Sequence, residues 1–243
     1  MLMKTALTKF AELLFGVTAL SIGATFGIIA GLGQTTSTGT CSAIAAALHI
    51  KVGAAMFLLY SLFLIFQILL LGKRFERIRF LQAVPVIMQT FILNFFRYTF
   101  PPFQALHPQT YAQRFGLFFV GMLLISLGFT IIKYARFLNY PPEAFCGIMA
   151  ERLHIQFGTS KILLDIVYVL ASILICRLNG IPTDMVREGT LIFAVCNGLL
   201  IDIFTKPVKK ILAFLENKIF SGYTAVLLLN GKWSFTPTNE CKS

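Results

Sequence analysis

Leu48-His49-Ile50-Lys51-Val52-Gly53 returns, nearly letter for letter, as Leu153-His154-Ile155-Gln156-Phe157-Gly158. The chain has three histidines, and two of them sit in this hexapeptide and its echo. Sliding the sequence on itself by 105 residues extends the match upstream. Gly16 meets Gly121, Ser21 meets Ser126, Gly23 meets Gly128, Thr25 meets Thr130, Cys41 meets Cys146 and Ala45 meets Ala150. About 11 of 38 ungapped positions are identical, where shared apolar composition alone gives roughly three. After a slip of three residues, Asn94-Phe95-Phe96 lies against Asp202-Ile203-Phe204. The chain therefore reads as two copies of one unit, 12–96 and 116–205, with a linker at 97–115 and a tail at 206–243.

The solvent of this duplicated chain follows from its composition. Of 243 residues, 57% are hydrophobic and 13% charged, with 25 phenylalanines. A soluble domain carries about 25% charge, so these values exclude one soluble core. The net charge of +11 lies mostly in short connections between apolar runs. That pattern suits anionic lipid headgroups rather than nucleic acid. The five cysteines, at positions 41, 146, 176, 196 and 241, contain no close pair and do not read as a disulfide framework.

A membrane helix needs about 20 mostly apolar residues. Six runs qualify, near 12–31, 53–71, 80–96, 116–134, 159–176 and 189–205. The third carries Gln89 and Asn94, the fifth Lys161 and Asp165, and the sixth Asn197 and Asp202. Polar groups are costly against lipid, so these three face other helices. The fold class expected is an all-α membrane protein of six transmembrane helices. They form two inverted three-helix repeats, because an odd number of spans turns the second copy over. Lys and Arg cluster before span one and after spans two, four and six, which places both termini in the cytoplasm of a bacterial inner-membrane protein.

Between the first and second spans of each unit lies a segment too short to cross. It reads TTSTGTCSAIAAALHI at 35–50 and NYPPEAFCGIMAERLHI at 139–155. Thr and Ser in the first, and a Pro pair with Glu143 in the second, are helix-starting chemistry. Two half-helices are expected there, each offering a positive N-terminal end to a ligand.

With the repeat in place, the sequence resembles the YczE/YitT family of bacterial integral membrane proteins. The likeness rests on the Gly-rich first span, on Pro142-Glu143 with Gly158 opening the next span, on the stretch from Arg187 to Phe204 and on the duplication. It covers roughly 12–206 and implies a transporter of unassigned substrate. The first copy departs from the pattern, lacking the Pro-acidic pair. The tail is too short for the soluble C-terminal domain of YitT-like members. Its KKILAFLENKIF stretch reads as an interfacial amphipathic helix, with a small hairpin at Asn230-Gly231.

The candidate substrate-binding residues are Cys41, His49, Glu143, Cys146, His154, Asp165, Arg187, Asn197 and Asp202. Cysteine and histidine are zinc ligands by type, but eight helical residues span about 12 Å. One ion cannot bridge Cys41 and His49, or Cys146 and His154, which leaves only a site pairing ligands across the repeats as an alternative; no metal and no cofactor are expected. Asp165 is the foremost candidate, with Lys161 one turn earlier as its partner and Met56 read as its counterpart in the first copy. Glu143 and Arg187 are candidates for gating or substrate contact, and Asn197 for the interface between repeats. Asp202, just before Lys206, reads first as structural. Gly23, Gly27 and Gly31 form a small-residue face for helix packing, and a homodimer is one use of it. No P-loop, Rossmann, nucleophile-elbow or HExxH motif occurs. The reading is therefore a secondary transporter rather than an enzyme, with a non-transporting membrane partner protein or the binding subunit of an importer as alternatives.

Overall fold

A short helix stands in each unit where a half-helix was expected, and both have the same length. The computed structural model describes residues 2–135, 138–183 and 187–229. Its elements are α1 (Leu2–Ala30), α2 (Thr36–Leu48), α3 (Val52–Leu71), α4 (Ala83–Tyr98), α5 (Pro101–Gln104), α6 (Tyr111–Ala135), α7 (Pro141–Leu153), α8 (Phe157–Leu178) and α9 (Glu188–Leu229). Two 3-10 turns, Gly72–Arg74 and Arg77–Gln82, join α3 to α4. No strand occurs among the described residues. The helices α7, α8 and α9 each begin 105 residues after α2, α3 and α4. The three-residue slip therefore lies inside the closing helices.

The repeated histidine ends the short helix. His49 (φ 54°) and His154 (φ 52°) are the two non-glycine residues with positive φ among those described. Each takes the left-handed conformation that closes a helix, and its N–H reaches the carbonyl of Ala45 or Ala150. Ile50 and Ile155 donate to the same carbonyls at 3.0 and 3.1 Å. Histidine is among the side chains enriched in this conformation. The hexapeptide is thus a sharp corner between a short helix and a long one, made twice.

The core is built on α1 and α6. A Cβ on Gly23 would lie 2.6 Å from the carbonyl oxygen of Gly121, and one on Gly128 would lie 2.6 Å from that of Gly16. Positions rise along α1 as they fall along α6, so the two helices run antiparallel. Between these contacts the hydroxyls bond back one turn. Ser21 donates to Val17 and Thr25 to Ser21; Ser126 donates to Met122 and Thr130 to Ser126. All four hydroxyl residues are fully buried and satisfied within their own helices, as an apolar interior requires. The small-residue face differs from the expected one. Gly23 packs as anticipated, but a Cβ on Gly27 or Gly31 would meet nothing within 4 Å. The working spacing is Gly16 with Gly23, and Gly31 (φ 65°) belongs to the turn that ends α1.

The outer helices α3, α4 and α8 turn apolar side chains outward. On α8, Ile162, Ile166, Leu170 and Leu174 are all exposed, at the spacing of one helical stripe. Contiguous apolar surface of this kind has lipid as its natural neighbour. Thr8–Ala30, Val52–Arg74, Arg77–Tyr98 and Tyr111–Ala135 are long and apolar enough to cross a membrane. A fifth span arises if Glu188–Asn197 and Leu199–Leu212, bent by 45°, count as one. The fifth expected span, 159–176, falls in α8, which carries Lys161 and Asp165 and is outside this set. The make-up is that of a multi-pass integral membrane protein. Beyond that bend, α9 continues through Pro207 to Leu229. Asn230-Gly231 and Cys241 lie outside the described residues.

Candidate functional site

The starts of α2 and α7 open on one cavity of about 500 Å³, closed in by α3, α6, α8 and α9. The short helices are held there by side chains that the sequence places in their first turns. Thr35 caps α2, its hydroxyl accepting from the Thr38 N–H at 3.1 Å. Thr36 Oγ1 donates to Asp165 Oδ1 at 2.6 Å, and Lys161 Nζ donates to the same oxygen at 2.9 Å. One turn on, Thr40 Oγ1 lies 2.9 Å from the Tyr168 carbonyl oxygen and 3.0 Å from Ser172 Oγ. The first two turns of α2 are therefore fastened along α8, in the other half of the chain.

At α7, Pro141 and Pro142 occupy the first helical positions, where a missing N–H costs nothing, and Glu143 completes the first turn. The Pro141 carbonyl accepts from Gln67 Nε2 at 3.0 Å. Gln67 is paired in turn with Gln82 through their side-chain amides at 3.1 Å. Both glutamines are buried, so α3 and the turn after it hold the start of α7.

Beside the cavity is a recess of about 10 Å³ that shares Tyr60, Tyr140, Glu143 and Ser37 with it and is also lined by Gln89. Four polar atoms around these spaces are enclosed and find no hydrogen-bond partner among the described residues: Glu143 Oε2, Tyr140 Oη, Tyr168 Oη and Gln89 Oε1. Tyr140, Tyr168 and Gln89 are each no more than 4% exposed. Buried polar atoms are nearly always paired in a folded chain, so four on one cavity mark it as a binding place.

The two halves differ across it. Gly53 is clasped by α4: its N–H donates to Asn94 Oδ1 at 3.1 Å, and Thr90 Oγ1 donates to its carbonyl at 3.1 Å. A Cβ on Gly53 would lie 2.6 Å from the Thr90 carbonyl oxygen. Its counterpart Gly158, at the start of α8, has nothing within 4 Å of the same position. The cavity lies between α8 and α9, whereas their counterparts α3 and α4 are packed together.

Of the residues singled out in the sequence, Glu143, Asp165 and Asn197 line the cavity. Asn197 Oδ1 lies 2.9 Å from Ser126 Oγ, whose one proton is shared between it and the Met122 carbonyl, and this ties α9 to α6. Cys41 and Cys146 are fully buried in the core. His49 and His154 are exposed at the helix corners, so neither Cys–His pair comes together and none of the four lines the cavity. Arg187 lies on the surface beside Glu188 and donates to the Gly31 carbonyl, holding the turn after α1. Asp202 is exposed and does not line the cavity. Among the described residues no three of His, Cys, Asp and Glu stand close enough to share a metal ion. The counterpart of Asp165 is Tyr60 rather than Met56, which corresponds to Lys161. Tyr60, Tyr140 and Tyr168 were missed. The sequence signal was their recurrence as hydroxyl-bearing aromatics within a largely aliphatic setting.

The class defined so far is a multi-pass, all-helical membrane protein with a largely apolar cavity between its halves, into which a few polar groups project. The chain belongs to a family of unknown function, DUF6198, whose family model matches residues 7–206. No curated protein and no solved structure matches it.

Proposed function

We propose that the chain is a secondary transporter moving a small solute or ion across a bacterial cytoplasmic membrane. The observation that carries this reading is the cavity shared by the starts of α2 and α7 and lined from both halves, with unpaired polar atoms facing it. In this reading α1, α3, α4, α6, α8 and the first part of α9 are six spans in two inverted repeats, as in the YczE/YitT-like proteins the sequence resembles. Antiparallel packing of the equivalent helices α1 and α6 supports the inversion. The contact of Gly16 with Gly128 becomes that of Gly121 with Gly23 when the halves are exchanged. Both termini then face the cytoplasm, and the basic loops lie beside anionic lipid.

Inverted repeats give two access states when the halves exchange conformations. A clasped Gly53 and an uncovered Gly158 are what one such state requires. The opposite state closes α8 on α9 and releases α3 from α4. The test is flux into liposomes containing the purified chain, over a panel of radiolabelled or electrogenic solutes. Saturable flux that Asp165→Asn weakens supports transport. Absence of flux for a solute that binds the protein rejects it in favour of a binding or partner protein.

A further inference from the structure

The ligand class of this cavity can be taken further, on the reading that the cavity is the binding site. Asp165 is satisfied by Lys161 and Thr36 on a single oxygen. That leaves Glu143, whose Oε2 is enclosed with no partner. Among the described residues two lysines line the cavity, Lys133 and Lys161, and the part-buried Lys161 is committed to Asp165. Lys133 stands at the exposed mouth, over the ring of Tyr134. Two carboxylates therefore face one interior ammonium, and a buried carboxylate without a counter-charge is strongly unfavourable. The Gln89 amide oxygen, also unpaired, opens on the same recess as Glu143. The Gln89 oxygen only accepts hydrogen bonds, and Glu143 accepts on both oxygens once it is ionised, the form that a bound cation favours.

The walls supply the second half of the recognition. Tyr60 and Tyr140 meet edge to face at 6.0 Å between ring centres, and both line the recess and the larger cavity. Tyr168 and Phe193 add aromatic surface on α8 and α9. Aromatic faces attract cations, and more so away from water. A recess sized for one small group, acceptors at its end, and an aromatic chamber outside it fit an ammonium head with an apolar body. An anion would meet Glu143. A bare divalent ion would find one free carboxylate and one amide oxygen, the other carboxylate being held by Lys161 and Thr36, where it needs six or more oxygens.

We infer that the cavity binds a small protonated organic amine, its ammonium group on Glu143 and Gln89 and its body against Tyr60, Tyr140 and Tyr168. The experiment is thermal unfolding of the full chain in detergent with three probes of nearly the same shape: 2-phenylethylammonium, 2-phenylethanol and phenylacetate. The expected result is a saturable rise in melting temperature with the ammonium probe. The alcohol binds at least tenfold more weakly, and phenylacetate gives no shift. Glu143→Gln loses about tenfold or more in ammonium affinity, a ratio that corresponds to one charge-assisted hydrogen bond. The wild-type series alone decides the matter if that variant does not fold. Equal binding of alcohol and amine, preference for phenylacetate, stabilisation by sodium chloride in place of the amine, or no response to the amine at millimolar concentration each overturns the inference. Amine binding without flux leaves this inference standing and rejects transport; flux of another solute without amine binding does the reverse.

Discussion

Gly16 and Gly128 meet backbone to backbone, with 2.6 Å between the Gly16 carbonyl oxygen and the place a Cβ on Gly128 would occupy. Gly23 and Gly121 repeat the contact with the halves exchanged. Gly128→Leu is therefore expected to force α1 from α6. Overpacking of this kind costs about 1–3 kcal/mol or more. Gly27→Ala, which meets nothing, is expected to be neutral. Unfolding in mixed micelles compares the two; equal effects would remove the glycine seam from the account.

The left-handed corners make a second prediction. His49→Gly and His154→Gly keep the backbone conformation these positions require, and are expected to leave melting temperature and ligand binding near wild type. His154→Val places a β-branched residue at positive φ, a strain of about 1–2 kcal/mol. Zinc titration followed by melting temperature separates this from a metal role. A large zinc-dependent shift that the glycine variants lose would contradict the corner as their purpose.

Thr36 supplies one of the two donors to Asp165. Thr36→Val keeps the volume and removes a hydrogen bond to a charged group, worth about 1.5–3 kcal/mol. Because that bond joins the halves at the cavity, ligand affinity is expected to fall on the order of tenfold or more. Thr18→Val, at an exposed hydroxyl bonded only within α1, is the comparison. Isothermal titration with whichever ligand the screens return reads the difference.

Gly158 stands open where Gly53 is clasped. If the second access state closes α8 on α9, Gly158→Leu blocks that closure while leaving the present state undisturbed. Flux should fall by about tenfold or more, an added barrier of roughly 1.4 kcal/mol, with affinity unchanged within about twofold. Flux at wild-type rate would show that closure at Gly158 is not part of the cycle.

Much of this architecture is legible in the sequence because duplication doubles the signal. The starts of α2, α3 and α4 are each copied 105 residues later, and the capping residues at Thr35 and Pro141-Pro142 announce both short helices. Glu143, Asp165 and Asn197 stand out as polar residues in apolar surroundings, and all three line the cavity. Tyr60, Tyr140 and Tyr168 do not, because an aromatic residue in an apolar run reads alike whether it faces lipid or ligand. The junction of span and tail is less legible. Lys206, Lys209 and Lys210 look like the close of a span, but a helix continues through Pro207 at the loss of one backbone hydrogen bond. The contrast between Gly53 and Gly158 is invisible in principle, since the same residue in the same hexapeptide is packed in one half and bare in the other.

The glycine seam has a consequence for how such a chain came to be. A surface that matches its own copy when turned over is what two separate polypeptides need to pair antiparallel as a two-fold dimer. The exposed stretch around Leu106–Gln109 then acts as a tether between two parts whose recognition is already written into α1 and α6. Expressed as two genes, 1–107 and 108–243 are expected to find each other in the membrane and purify as one complex, with the join contributing proximity rather than fit.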